Sequence, residues 1–143
     1  MKKHFATLFY GIIPPDSFIF PWDESNTDWT ECIASRHKLF PPQGKFTGNE
    51  SKYEEYWKDK NKLINSLGIQ IEPFGSEKNN KYGFAIKDSV YYSSQEFPEL
   101  IDGYELTKKH SEWNALLENF CNILEIKEKI QPAWWLTSFS EMS

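Results

Sequence analysis

The acidic run Asp23-Glu-Ser-Asn-Thr-Asp28, with Glu31 beyond it, is the densest gathering of oxygen ligands in the chain. A calcium loop needs ligands at alternate positions, a glycine at the sixth and a glutamate at the twelfth. Counted from Asp23, the sixth residue is Asp28 and the twelfth is Ala34, so the pattern fails. A looser cation site can still be drawn there, against the plainer reading of a solvated acidic loop whose carboxylates cap a helix. Of the three histidines, His4, His37 and His110, no two stand at metal-ligand spacing. His37 lies in the same acidic, aromatic region and is the single candidate for acid–base work.

Other catalytic patterns are absent or incomplete. Gly44-Lys45 is followed by Phe46 and preceded, at the position where a phosphate loop needs glycine, by Leu39. No serine occupies a G-x-S-x-G elbow. Carboxylate pairs for glycoside hydrolysis can be chosen from Asp16, Asp23, Glu24, Asp28, Glu54 and Glu55, but spacing alone sets no pair at the separation that chemistry requires.

Aromatic residues make up 17% of the chain and gather at two poles. One holds Phe18, Phe20, Trp22 and Trp29; the other Trp113, Phe120, Trp134, Trp135 and Phe139. Trp57 and Trp113 fall on helical apolar stripes and are expected in the core. Trp134 and Trp135 are adjacent, and neighbours on a strand point to opposite faces, so both are buried only if both faces are covered. A ring left at the surface is a binding anchor. Core packing is favoured for Trp22, Trp29 and one of the Trp134–Trp135 pair; the candidate ligand site is where residues 18–29 meet the last strand, with Trp22, Asp23, Trp29 and Trp135 forming apolar walls and an acidic rim.

A net charge of −5 and a single arginine, Arg36, argue against nucleic-acid binding, which is driven by Lys and Arg on phosphate. Cys32 and Cys121 form no CxxC or metal-ligand pattern. Cys121 falls on an apolar helix face and is expected as a buried, inert thiol. The longest apolar stretches, such as Phe18–Phe20 and Ala133–Leu136, are far too short to span a bilayer. With no secretory pattern at the start, a cytoplasmic protein without a membrane partner is expected.

These residues must be positioned by a small number of elements. His4–Ile13 alternates with two apolar faces, as a central strand does, and Pro14-Pro15 ends it. A long irregular segment to Asn49 follows, interrupted by a short helix over Asp28–Arg36 with Asn26 or Thr27 as cap. Ser51-Lys-Tyr-Glu54 fits a capping box opening a helix with a stripe of Tyr53, Tyr56, Trp57, Leu63, Ile64 and Leu67. Gly68 closes it in a left-handed cap. Ile69–Phe74, Tyr82–Ile86 and Val90–Ser94 read as strands, the last two as a hairpin. Pro98–Tyr104 connects to a helix capped by Thr107 and striped by Trp113, Leu116, Leu117, Phe120, Cys121 and Leu124. Ala133–Phe139 suits a final strand. The expected fold is a single α+β domain over 1–143, with four to five mainly antiparallel strands and two main helices on one face.

Tyr10-Gly-Ile-Ile13, Pro21-Trp-Asp23 and Trp29 at one end, with Phe120-Cys121 and Pro132-Ala-Trp-Trp-Leu-Thr-Ser138 at the other, resemble a group of small uncharacterised proteins of bacteria and their phages. The resemblance implies a free-standing accessory protein and brings no activity. The leading functional expectation is a non-enzymatic protein that binds a small molecule or a protein partner, without cofactor or metal. The alternatives are a small hydrolase using Asp23, Asp28 or Glu31 with His37, with or without a divalent metal, and a structural or inhibitory protein acting through protein contacts alone.

Overall fold

The computed structural model describes residues 2–25, 27–76, 79–94 and 109–142. The elements run β1 (Lys2–Ile12), α1 (Pro21–Ser25), α2 (Trp29–Arg36), α3 (Glu50–Leu67), β2 (Ile69–Ser76), β3 (Asn79–Ile86), β4 (Tyr91–Ser94), α4 (His110–Ile123) and β5 (Ala133–Met142), with a 3-10 turn at Lys87–Ser89. The α+β class and the mainly antiparallel five-stranded sheet are as the sequence indicates. The expected Thr107 cap, the Pro98–Tyr104 connector and an Asn26 cap lie outside the described residues.

β1 is the hub. One edge carries β5 over ten rungs, from Lys2–Met142 to Gly11–Ala133. The other edge takes β4 along Phe5–Leu8 and β3 at Gly11 and Ile12. β2 pairs antiparallel with β3 along its whole length and, at Gly75 and Ser76, runs parallel beside β5. The pairings β1–β5–β2–β3–β1 therefore form a ring, and the sheet is curled until it nearly closes on itself. The turn is made where the backbones of β1 and β3 nearly touch. A Cβ built on Gly11 would lie 2.0 Å from the Phe84 carbonyl oxygen, so only glycine permits that crossing.

The hairpin is β2–β3, not β3–β4 as the alternation suggests. Ser89, fully buried, explains the difference. Its hydroxyl donates to Ile86 O at 2.7 Å and accepts from Tyr10 N at 2.9 Å. The chain is thus led forward onto β1 instead of folding back on β3.

On the convex face, Tyr10, Ile12, Ile69, Phe84 and Ile86 meet Trp113, Leu117, Phe120 and Leu124 of α4, together with Trp22 and Ile33. Phe120 and Phe84 are central, with ring centroids 5.1 Å apart. Helix α4 buries its expected stripe, leaving Leu116 and Cys121 half-buried. Burial pushes the Cys121 thiol upward, helped by the nearby charge of Glu118, which disfavours the thiolate.

Helix α3 departs from expectation at both its start and its stripe. It begins at Glu50, and Asn49 makes no side-chain cap bond; the Ser51–Glu54 box does not form. The turn is held instead by Gly48 N donating to Glu50 Oε2 at 3.1 Å and by Asn49 Nδ2 donating to Lys45 O at 2.9 Å. Gly68 does cap its end, at φ 69°. Packing against α2, α3 buries only Tyr56 and Leu67. Trp57 is not a core residue: it is 44% exposed and stacks on Phe46, with centroids 5.7 Å apart.

Candidate functional site

Where β1 stops, Ile13-Pro14-Pro15 cannot continue the ladder, because proline has no N–H to offer. A turn closed by Phe18 N donating to Pro15 O at 2.9 Å throws Phe18 and Phe20 back over β3. The two rings meet edge to face, 5.1 Å apart, and Phe20 meets Tyr82 in the same way at 6.0 Å. A hollow of about 470 Å³ opens beside them, walled by Pro14, Pro15, Phe18, Phe20, Phe74 and Tyr82.

Three charged groups rim it: Asp16, Asp23 and Lys81. Lys81 Nζ lies 3.5 Å from Asp16 Oδ1, an exposed pair of little energetic weight. Asp23, exposed as the third residue of α1, has no ion pair among the described residues. The rim therefore carries one net negative charge over an aromatic and proline wall. An aromatic face draws a cation, and a carboxylate beside it adds directional acceptors.

The four residues expected at a single site fall in different places. Trp22 is 8% exposed and packs flat beneath Phe20, with centroids 5.0 Å apart, so it supports the hollow's wall without lining it. Asp23 is on the rim. Trp29, the first residue of α2, is half-buried against the convex core. Trp135 stands on the opposite face of the sheet from these three, since its rung partner is Phe9, while Trp134 partners Tyr10 on the helix-covered face. Its indole N–H donates to Gly11 O at 3.1 Å. Both adjacent tryptophans are half-buried. Trp134 joins Tyr10, Trp113 and His110, donating to His110 Nε2 at 2.9 Å.

Of the hydrolase grouping, Asp28 and His37 stand at opposite ends of α2. Asp28 caps α2, accepting from Thr30 N at 3.1 Å, and His37 caps the other end, with Nδ1 3.1 Å from Ile33 O. Nine residues of helical rise put them roughly 13 Å apart. Glu31 faces a separate hollow of about 620 Å³, with Arg36, Cys32 and Tyr56. Among the described residues no group of three or more His, Cys, Asp or Glu side chains could hold a metal ion. No described helix is long and apolar enough to cross a membrane.

Phe74, Lys81 and Tyr82 were not legible as site residues. They sit in an ordinary alternating hairpin, and only the return of residues 13–20 over its edge makes them a wall. Asp16 and Phe20 carried a partial signal, as a carboxylate and an aromatic next to the strand-ending prolines. Comparison with protein-family models, with curated proteins and with solved structures finds no match to the chain.

Proposed function

We propose that the protein is a non-enzymatic binding protein whose aromatic, acid-rimmed hollow receives a ligand joining an apolar body to a positive charge. The observation that carries this is the convergence of Phe18, Phe20, Phe74 and Tyr82 on one open concavity with Asp16 and with Asp23, which has no ion pair among the described residues. Among the described residues the hollow's lining includes no histidine, cysteine or serine. Cation–ring contacts at exposed sites contribute about 0.5–1 kcal/mol each. Affinity for a single free amine is accordingly modest, and a dipeptide or a protein segment that also fills the apolar wall binds more tightly.

Isothermal titration with phenethylamine and with Phe-Arg-amide tests the proposal. Saturable binding is expected, weakened about two- to fivefold by Asp23→Asn and by raised salt, as for a solvent-exposed charge pair. Phe20→Leu should weaken it through lost ring contact. Binding of neither probe, or affinities untouched by both substitutions, refutes the assignment.

A further inference from the structure

The concave face of the sheet holds a second polar constellation, made of residues that do not line the hollow. By rung register, Thr7 and Phe9 of β1, Gln70 and Glu72 of β2, Gly83 of β3, Tyr92 of β4 and Trp135 of β5 share this face. Tyr92 Oη donates to Glu72 Oε1 at 2.6 Å, although β4 and β2 are not neighbours in the sheet. Gln70 Nε2 donates both to Tyr92 Oη, at 2.9 Å, and to the same carboxylate oxygen. Because Tyr92 spends its proton on Glu72, the amide must present its nitrogen to both, which fixes its orientation.

Glu72 is only 4% exposed, yet its partners are both neutral, and no cation among the described residues lies within ion-pair distance. Burying a carboxylate without a counter-charge is costly. Burial of the hydroxyl, and then the neighbouring Glu72, push Tyr92 up to about 12, so the tyrosine remains a donor throughout the neutral range. Every donor in the cluster is thus used internally, and the groups left over are acceptors: Glu72 Oε2 and Gln70 Oε1. No buried side-chain oxygen or nitrogen is unpartnered among the described residues, so both of these oxygens keep some contact with solvent. Tyr92 itself is exposed, on a strand that among the described residues pairs only with β1.

We propose that the Glu72–Tyr92–Gln70 cradle is a binding site for a primary ammonium group, whose charge answers Glu72 and whose N–H donors meet the spare oxygens of Glu72 and Gln70. An ammonium supplies only donors and a positive charge, the complement of what the cradle leaves open.

Thermal unfolding of the full chain in methylammonium chloride tests this, with sodium chloride and tetramethylammonium chloride at equal ionic strength as controls. Tetramethylammonium carries the charge without any N–H. A saturable rise in melting temperature above both controls is expected, lost in Glu72→Gln and kept in Asp23→Asn, which separates the cradle from the hollow. No excess over the controls, or the same excess in Glu72→Gln, overturns the proposal. If Glu72→Gln fails to fold, Gln70→Leu keeps the carboxylate and removes one acceptor. It should weaken the apparent affinity about three- to tenfold; unchanged affinity there also overturns the assignment.

Discussion

Replacing Gly11 by alanine should be among the most damaging single-methyl additions to this protein. The new Cβ would stand 2.0 Å from Phe84 O and 3.0 Å from Ala85 Cα, both backbone atoms that cannot swing aside. Carbon–oxygen contacts between strands settle near 3.3 Å, so β1 and β3 would have to part by more than about 1 Å. That breaks the Gly11–Ala85 and Ile12–Phe84 rungs and lifts two fully buried side chains, Ile12 and Phe84. Overpacking costs about 1–3 kcal/mol and two weakened backbone hydrogen bonds about 1 kcal/mol each, giving roughly 3–5 kcal/mol. For a chain of this length the melting temperature should fall by roughly 10 °C. Urea unfolding with unchanged slope is the assay. Gly48→Ala is the control: nothing lies within 4 Å of its Cβ, and only its φ of 91° is strained, at about 1–2 kcal/mol. A Gly11→Ala protein within 1 kcal/mol of the parent would show that β1 and β3 do not cross as described, and the closed ring of strands would fall with it.

Further outcomes follow from single contacts. Phe120→Ala removes a fully buried ring beneath Phe84 and should cost about 3–5 kcal/mol in the same unfolding assay. Ser89→Ala leaves the buried Tyr10 N–H without its acceptor and should cost about 1–3 kcal/mol, whereas Ser89→Thr would report crowding instead. Leu136→Asn, at a position 75% exposed, should stay within about 0.5 kcal/mol of the parent. Spectrophotometric titration should reveal a tyrosine ionising at about 12, absent in Tyr92→Phe and moved toward 10 in Glu72→Gln. Since folding raises this group above its unfolded value, its stabilising contribution is complete below pH 10 and is lost as the pH climbs through about 12.

Period-two alternation and helical stripes were readable because burial imposes them locally. His4–Ile13 is central, Ala133–Phe139 is a strand, and Trp113, Leu117, Phe120 and Leu124 are the buried line of α4. Long-range contacts were not readable. The turn at Lys87–Ser89 has the length of a hairpin turn, and only the bond from Tyr10, 79 residues away, sends the chain onto β1. Trp57 fits a core stripe, but α3 lies against another helix, which offers a narrower surface than a sheet, so the stripe's flank stays wet. Glu72 reads as a solvent-facing polar residue between two apolar ones. Its burial depends on Tyr92, twenty residues on, which is fixed only by β4 joining β1.

The long ladder between β1 and β5 has a consequence for how the chain reaches this state. About 120 residues separate Ile12 from Ala133, so the hub strand lacks its principal partner until β5 has been made. At roughly 5–20 residues per second, a ribosome needs some 6–24 s to add that length. Throughout the interval β1 is an apolar segment with an open edge, the kind of surface on which chains aggregate. Pairing so distant in sequence also slows folding, since the loop must close before any rung forms. Yield from the cell should therefore depend on translation speed and on chaperones that shield extended apolar segments, more steeply than the stability of the finished protein alone would suggest.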